Sequence, residues 1–71
     1  MGNLYRKVKV GDLIGFTTRG YSKNRILALV LEAYHYDGVP ERFESLFYVY
    51  LITYDDMMFL EPQDLIDLEV L

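Results

Sequence analysis

Ile26-Leu27-Ala28-Leu29-Val30-Leu31-Glu32-Ala33-Tyr34-His35-Tyr36 is the stretch on which the fold turns. Leu, Ala and Glu favour a helix, and a continuous apolar run carries no period of its own. Two features point to a strand instead: no capping box precedes the run, and Tyr34-His35-Tyr36 leads into the turn signal Asp37-Gly38. A strand here turns Ile26, Ala28 and Val30 to one side and Leu27, Leu29 and Leu31 to the other. A small barrel has a single interior, so one of the two apolar sets needs cover from elsewhere.

The segments around it supply partners. Upstream, Val8-Lys9-Val10-Gly11-Asp12-Leu13-Ile14 alternates into a Gly-Asp turn or bulge and restarts with an apolar pair, which places a first strand over residues 8–18. Residues 19–24 are polar and rich in Gly, Ser and Asn, as a surface connection is. Downstream, residues 39–46 hold Pro40 and charges and read as a long hairpin loop with room for a helical turn near residues 41–45. Phe47-Tyr48-Val49-Tyr50-Leu51-Ile52-Thr53-Tyr54 is the clearest strand, with Phe47, Val49 and Leu51 on a core side and Tyr48, Tyr50 and Tyr54 in an amphipathic stripe.

Asp55-Asp56 then marks a tight turn and Met57-Met58-Phe59-Leu60 a short return strand. Glu61-Pro62-Gln63-Asp64 fits one helical turn, and Ile66, Leu68 and Val70 alternate against Asp67 and Glu69 in a one-sided closing strand. The expectation is an all-β fold. Five short strands form a small, partly open barrel with a single short helical turn before the last strand. Residues 1–71 make one domain, with residues 1–6 as a loose lead-in that leaves Leu4 and Tyr5 free for docking.

Size sharpens the question of cover. A chain of 71 residues buries only about 60% of the surface its unfolded form exposes. With no cysteine and one histidine, neither disulfides nor a zinc site can reinforce it. Yet 52% of its residues are hydrophobic and 15% aromatic, a surplus that points to an interface with a protein partner or a second copy.

The net charge is −4, which disfavours general nucleic-acid binding, because affinity there comes largely from neutralising phosphates. The charges are nonetheless segregated. Arg6, Lys7, Lys9, Arg19, Lys23 and Arg25 precede Ile26, whereas ten of the eleven acids follow it. If the first and last strands are neighbours the two sets face each other and partly cancel; the alternative is a functional basic patch on nucleic acid. No apolar run reaches the roughly 18 residues of a bilayer span, and no signal-peptide core opens the chain, so a soluble, cytoplasmic product is expected.

With the elements in order, residues 8–14 resemble the V-x-x-G-D-L-V opening of SH3-like small barrels, including KOW-type domains and the short barrel proteins of tailed bacteriophages. Val30-Leu31-Glu32 is similar to their acid-terminated second strand, and Pro62-Gln63-Asp64-Leu65-Ile66-Asp67-Leu68 to their closing P-x-D-L-x-x-L. The KOW likeness implies a nucleic-acid module, though Ala28 stands where those sequences place glycine. The phage likeness implies a virion component or a host-directed adaptor.

Chemistry has few candidates. Asp55-Asp56 lacks the environmental asymmetry that splits two carboxylates into acid and base. His35 has no nucleophile motif beside it, and the glycines lack phosphate-loop spacing. No enzyme, metal, cofactor or small-molecule substrate is expected. The candidate protein interface is Tyr34, Tyr36, Tyr48, Tyr50 and Tyr54 with Leu27 and Leu29, since tyrosine offers large area at low entropic cost.

Overall fold

The computed structural model describes residues 4–19, 22–40 and 43–71, and the side chains of residues 22 and 23 lie outside the description. Of the expectations above, those on residues 1–3, on Gly20 and Tyr21 of the first loop and on a turn beginning at Glu41 fall outside the described residues. Five antiparallel strands form one sheet: β1 (Leu13–Thr18), β2 (Ser22–His35), β3 (Ser45–Leu51), β4 (Asp56–Leu60) and β5 (Leu65–Val70). Their order is β4-β3-β2-β1-β5, so β4 and β5 are the two edges and are not paired with each other. A helical turn, α1 (Leu4–Lys7), precedes β1, and a 3-10 turn (Pro62–Asp64) precedes β5.

The deciding stretch is extended, as its sequence implies, and β2 begins earlier, at Ser22, within the expected loop. Ile26, Ala28 and Val30 are buried at 1%, 0% and 1% exposure, facing Phe16 and Ile14 of β1 and Val49 and Leu51 of β3. The register then shifts between Val30 and Glu32, leaving Leu31 as an extra residue in a β-bulge. A bulge reverses parity. Beyond it Ala33, opposite Phe47, packs on the core, while Glu32 and Tyr34 turn outward with Tyr48 and Leu46.

β3 keeps the alternation expected of it: Phe47, Val49 and Leu51 are buried and Tyr48 and Tyr50 half-buried. The strand stops at Leu51, however, and Ile52 to Asp55 form the turn, so Tyr54 leaves the stripe. Asp55 takes φ 54°, which lets four residues reverse the chain.

Three other expectations are corrected. The first strand starts at Leu13 instead of Val8, because Lys9 N–H donates to the Asp12 carboxylate at 3.0 Å and Gly11 at φ 91° folds residues 9–12 into a turn. Gly11 N–H reaches the Val30 carbonyl at 2.9 Å, and Asp12 accepts from Val30 N–H at 2.9 Å, so the turn is sewn to β2. Residues 4–6 are not a loose lead-in: they belong to α1, a second helical turn beside the expected one, and seat Tyr5 against the core with Val8 fully buried.

The closing strand departs from simple alternation. Gly15 pairs Glu69 but Thr17 pairs Ile66, so β5 carries an extra residue, and Asp67 stands there at φ 52°. Leu65 is therefore the buried residue of β5 and Leu68 packs against the core, while Val70 is 41% exposed. The 3-10 turn before it forms as expected. Pro62, buried, sits at its start, and Glu61 and Asp64 cap each other's backbone N–H groups.

Candidate interaction surface

Cross-strand partners share a face of a sheet, so the register alone defines the surface opposite the core. Leu13 pairs Leu29, Leu29 pairs Tyr50 and Tyr50 pairs Met57, a row across four strands with no charged member. Beside it, Glu32 pairs Tyr48 and Tyr48 pairs Phe59, with ring centroids of the last two 4.7 Å apart. Leu27, opposite Gly15, and Tyr34, opposite Leu46, extend the same face at its two ends. Met57 is 53% and Phe59 56% exposed, whereas Leu13, Leu29, Tyr48 and Tyr50 are half-buried.

Five of the seven residues expected at an interface, Leu27, Leu29, Tyr34, Tyr48 and Tyr50, therefore share this outer face. Tyr36 and Tyr54 do not. Tyr36 lies beyond the end of β2, where its carbonyl accepts from Arg6 at 2.6 Å, and Tyr54 lies in the β3–β4 turn. Met57 and Phe59 were missed by sequence reasoning, although alternation carried across the Asp55 hairpin identifies them. Hydrogen bonds fix the tyrosines: Tyr50 to the Asp55 carboxylate, Tyr34 to Glu32, and Tyr48 to the Met57 sulfur at 3.3 Å. The Asp55 bond, followed by desolvation and then the carboxylate charge, raises the Tyr50 pKa; the Glu32 bond leads the same causes at Tyr34.

The cations divide between the two ends of β2. Arg6 meets Asp37 at 2.8 Å and Glu44 at 3.6 Å beyond its C-terminal end. Near its start Arg25 meets Glu69 at 2.9 Å and donates to the carbonyls of Asp67 at 2.7 Å and Gly15 at 3.2 Å. Arg19 donates to the Gln63 carbonyl at 3.0 Å. Lys7 and Lys9 are exposed, and the Lys23 side chain lies outside the described residues. Arg25 of β2 thus meets an acid of β5, whereas Arg6 meets Asp37 and Glu44 at the far end of β2 and Arg19 meets a carbonyl.

His35 follows the bulge onto the core side, edge-on to Phe47 at 6.0 Å. Its Nε2 faces the Val8 carbonyl at 3.2 Å and its Nδ1 the buried Ser45 hydroxyl at 2.9 Å. A carbonyl only accepts, so Nε2 carries a proton, and the Ser45 hydroxyl bonds the other ring nitrogen. The Asp55 carboxylate is held by Tyr50 and that of Asp56 by Met57 N–H at 2.8 Å. Among the described residues no three His, Asp or Glu side chains converge as metal ligands, and no helix is long and apolar enough to cross a membrane.

A cleft of about 230 Å³ opens between β4 and the chain leaving β1. Ile26, Leu51, Met58 and Leu60 line it, with Arg19 and Asp64 at the mouth. Thr18 completes the wall, and its Oγ1 is buried without a hydrogen-bond partner. Comparison of the chain with protein-family models, with curated proteins and with solved structures finds no match.

Proposed function

We propose that this protein works by contact with another protein, as an adaptor or assembly part without catalytic chemistry, and docks through the outer face of its sheet. The observation that carries the reading is the row Leu13, Leu29, Tyr50 and Met57. An apolar row four strands wide stands outside a core that is complete without it. Leu27, Phe59 and the tyrosines widen it, and Glu32, Arg25 and Glu69 border it, the arrangement of an apolar centre within a polar rim.

The architecture we assign is an SH3-like barrel left open between β4 and β5. Support comes from the order β4-β3-β2-β1-β5, from the 14-residue β2 that pairs on both sides, and from the 3-10 turn before β5. A phage-encoded structural or host-directed role is the setting proposed on the likeness of residues 8–14 and 62–68 to short phage barrels.

The test is a pair of variants, Leu29→Glu and Val10→Glu, Val10 being 63% exposed and outside the paired strands. Both should fold. Sedimentation and co-purification from native cells should show a discrete partner or dimer for the parent and for Val10→Glu, lost in Leu29→Glu. A monomer with no partner in any of the three would remove the reading.

A further inference from the structure

β4 has one open side. Ile52 N–H donates to the Leu27 carbonyl at 2.9 Å, so even-numbered residues of β3 direct their backbone to β2 and odd-numbered ones to β4. The odd residues Leu51, Val49 and Phe47 pair Asp56, Met58 and Leu60. The backbone groups of Met57 and Phe59 therefore point away from β3, where no strand is paired among the described residues. Met57 N–H is held by the Asp56 carboxylate; Phe59 N–H has no partner among the described residues. Five residues of sheet edge, without lysine or proline to protect them, stand ready for another strand.

The cleft lies on the core side of that edge. Met58 and Leu60 form its β4 wall, so a strand laid along β4 directs the side chain opposite Met58 over an apolar space sized for one large residue. Charge selects the occupant. Asp55 and Asp56 stand at one end of β4 and Glu61 and Asp64 at the other, with Arg19 the cation at the cleft mouth. A second copy paired about Met58 sets Asp55 against its partner's Glu61, like charge on like charge.

We propose that β4 takes a sixth strand from a partner: an extended segment with one large apolar side chain for the cleft and lysine or arginine at both ends. Its main chain pairs with Met57 and Phe59 while its cations meet the four carboxylates. This site is separate from Leu29 and Tyr50 on the outer face.

The probe is a fluorescein-labelled decapeptide, Lys-Lys-Thr-Val-Thr-Leu-Thr-Val-Lys-Lys, compared with its glutamate-flanked twin by fluorescence polarisation at low salt. The lysine form should bind at least about tenfold more tightly. Phe59→Pro, which removes an N–H outside the β3 ladder, should abolish binding with the circular dichroism unchanged, whereas Phe59→Ala and Leu29→Glu should retain it. Asp56→Lys should narrow or invert the preference between the peptides, which keeps the test decisive if Phe59→Pro fails to fold. Equal affinity for the two peptides, binding that survives Phe59→Pro, no binding up to about 1 mM, or dimerisation through β4 in place of peptide binding would each overturn the proposal.

Discussion

The Arg25 guanidinium donates to the Gly15 carbonyl across the β1–β2 pair and lies over the position where a side chain on Gly15 would stand, 3.4 Å from Nε. The same group reaches the Asp67 carbonyl at the β5 bulge and the Glu69 carboxylate, tying three strands together. Arg25→Ala should cost about 1–2 kcal/mol in urea denaturation, mostly from the hydrogen bonds, because an exposed ion pair contributes little. Arg25→Lys should recover less than half of that, since an ammonium cannot reach three acceptors in a planar fork.

Asp67 and Asp55 hold the two positive φ angles outside glycine among the described residues, at 52° and 54°. Only Asp55 has its carboxylate engaged by a tyrosine hydroxyl, that of Tyr50. Asp67→Gly should therefore stabilise by about 0.5–1 kcal/mol, through relief of left-handed strain. Asp55→Gly should be near neutral, the same relief being offset by the lost hydrogen bond. Thermal melts of the two variants side by side check the difference.

Tyr50 and Tyr34 should titrate above ordinary tyrosine, whose pKa is about 10. A phenol with a raised folded pKa contributes stability that is complete below the unfolded value and is lost as pH climbs through the folded one. Stability should thus fall on the alkaline side, and Asp55→Asn should lower the Tyr50 transition toward the ordinary value while leaving Tyr34 in place. Carbon-13 labelling of the tyrosine rings resolves the individual titrations by NMR.

Thr18 has a buried hydroxyl oxygen without a partner beside the cleft. Replacing such a group by an apolar isostere removes its desolvation cost, so Thr18→Val should raise stability by up to about 1 kcal/mol. A fall of that size would show that the hydroxyl is bonded in solution.

β3 was the most legible element, because no bulge interrupts it: Phe47, Val49 and Leu51 go in while Tyr48 and Tyr50 stay half-buried. β2 was legible to Val30. The bulge at Leu31 then exchanged its faces, and nothing in a run of leucines and alanines marks where an extra residue will sit. β5 was misread for the same reason, since an aspartate at positive φ looks like any aspartate in sequence. Period-2 reasoning fails wherever a strand carries one residue more than its partner.

The interface reading fared in the same way. Leu27, Leu29 and Tyr50 come together where β2 keeps one register, Tyr48 follows by the alternation of β3, and Tyr34 joins them only through the bulge at Leu31, while Tyr54 is lost to a turn that begins three residues early, at Ile52. The cleft joins Thr18, Met58 and Asp64, residues remote in sequence, and only the fold brings them together.

The outer face is tested most directly by a photo-crosslinking residue placed at Tyr50, with Val10 as the control position, in the protein's native cells. The account predicts one discrete crosslinked protein, or a crosslinked dimer, from position 50 and none from position 10. Equal, diffuse labelling from both positions, or no crosslink from position 50, would contradict it.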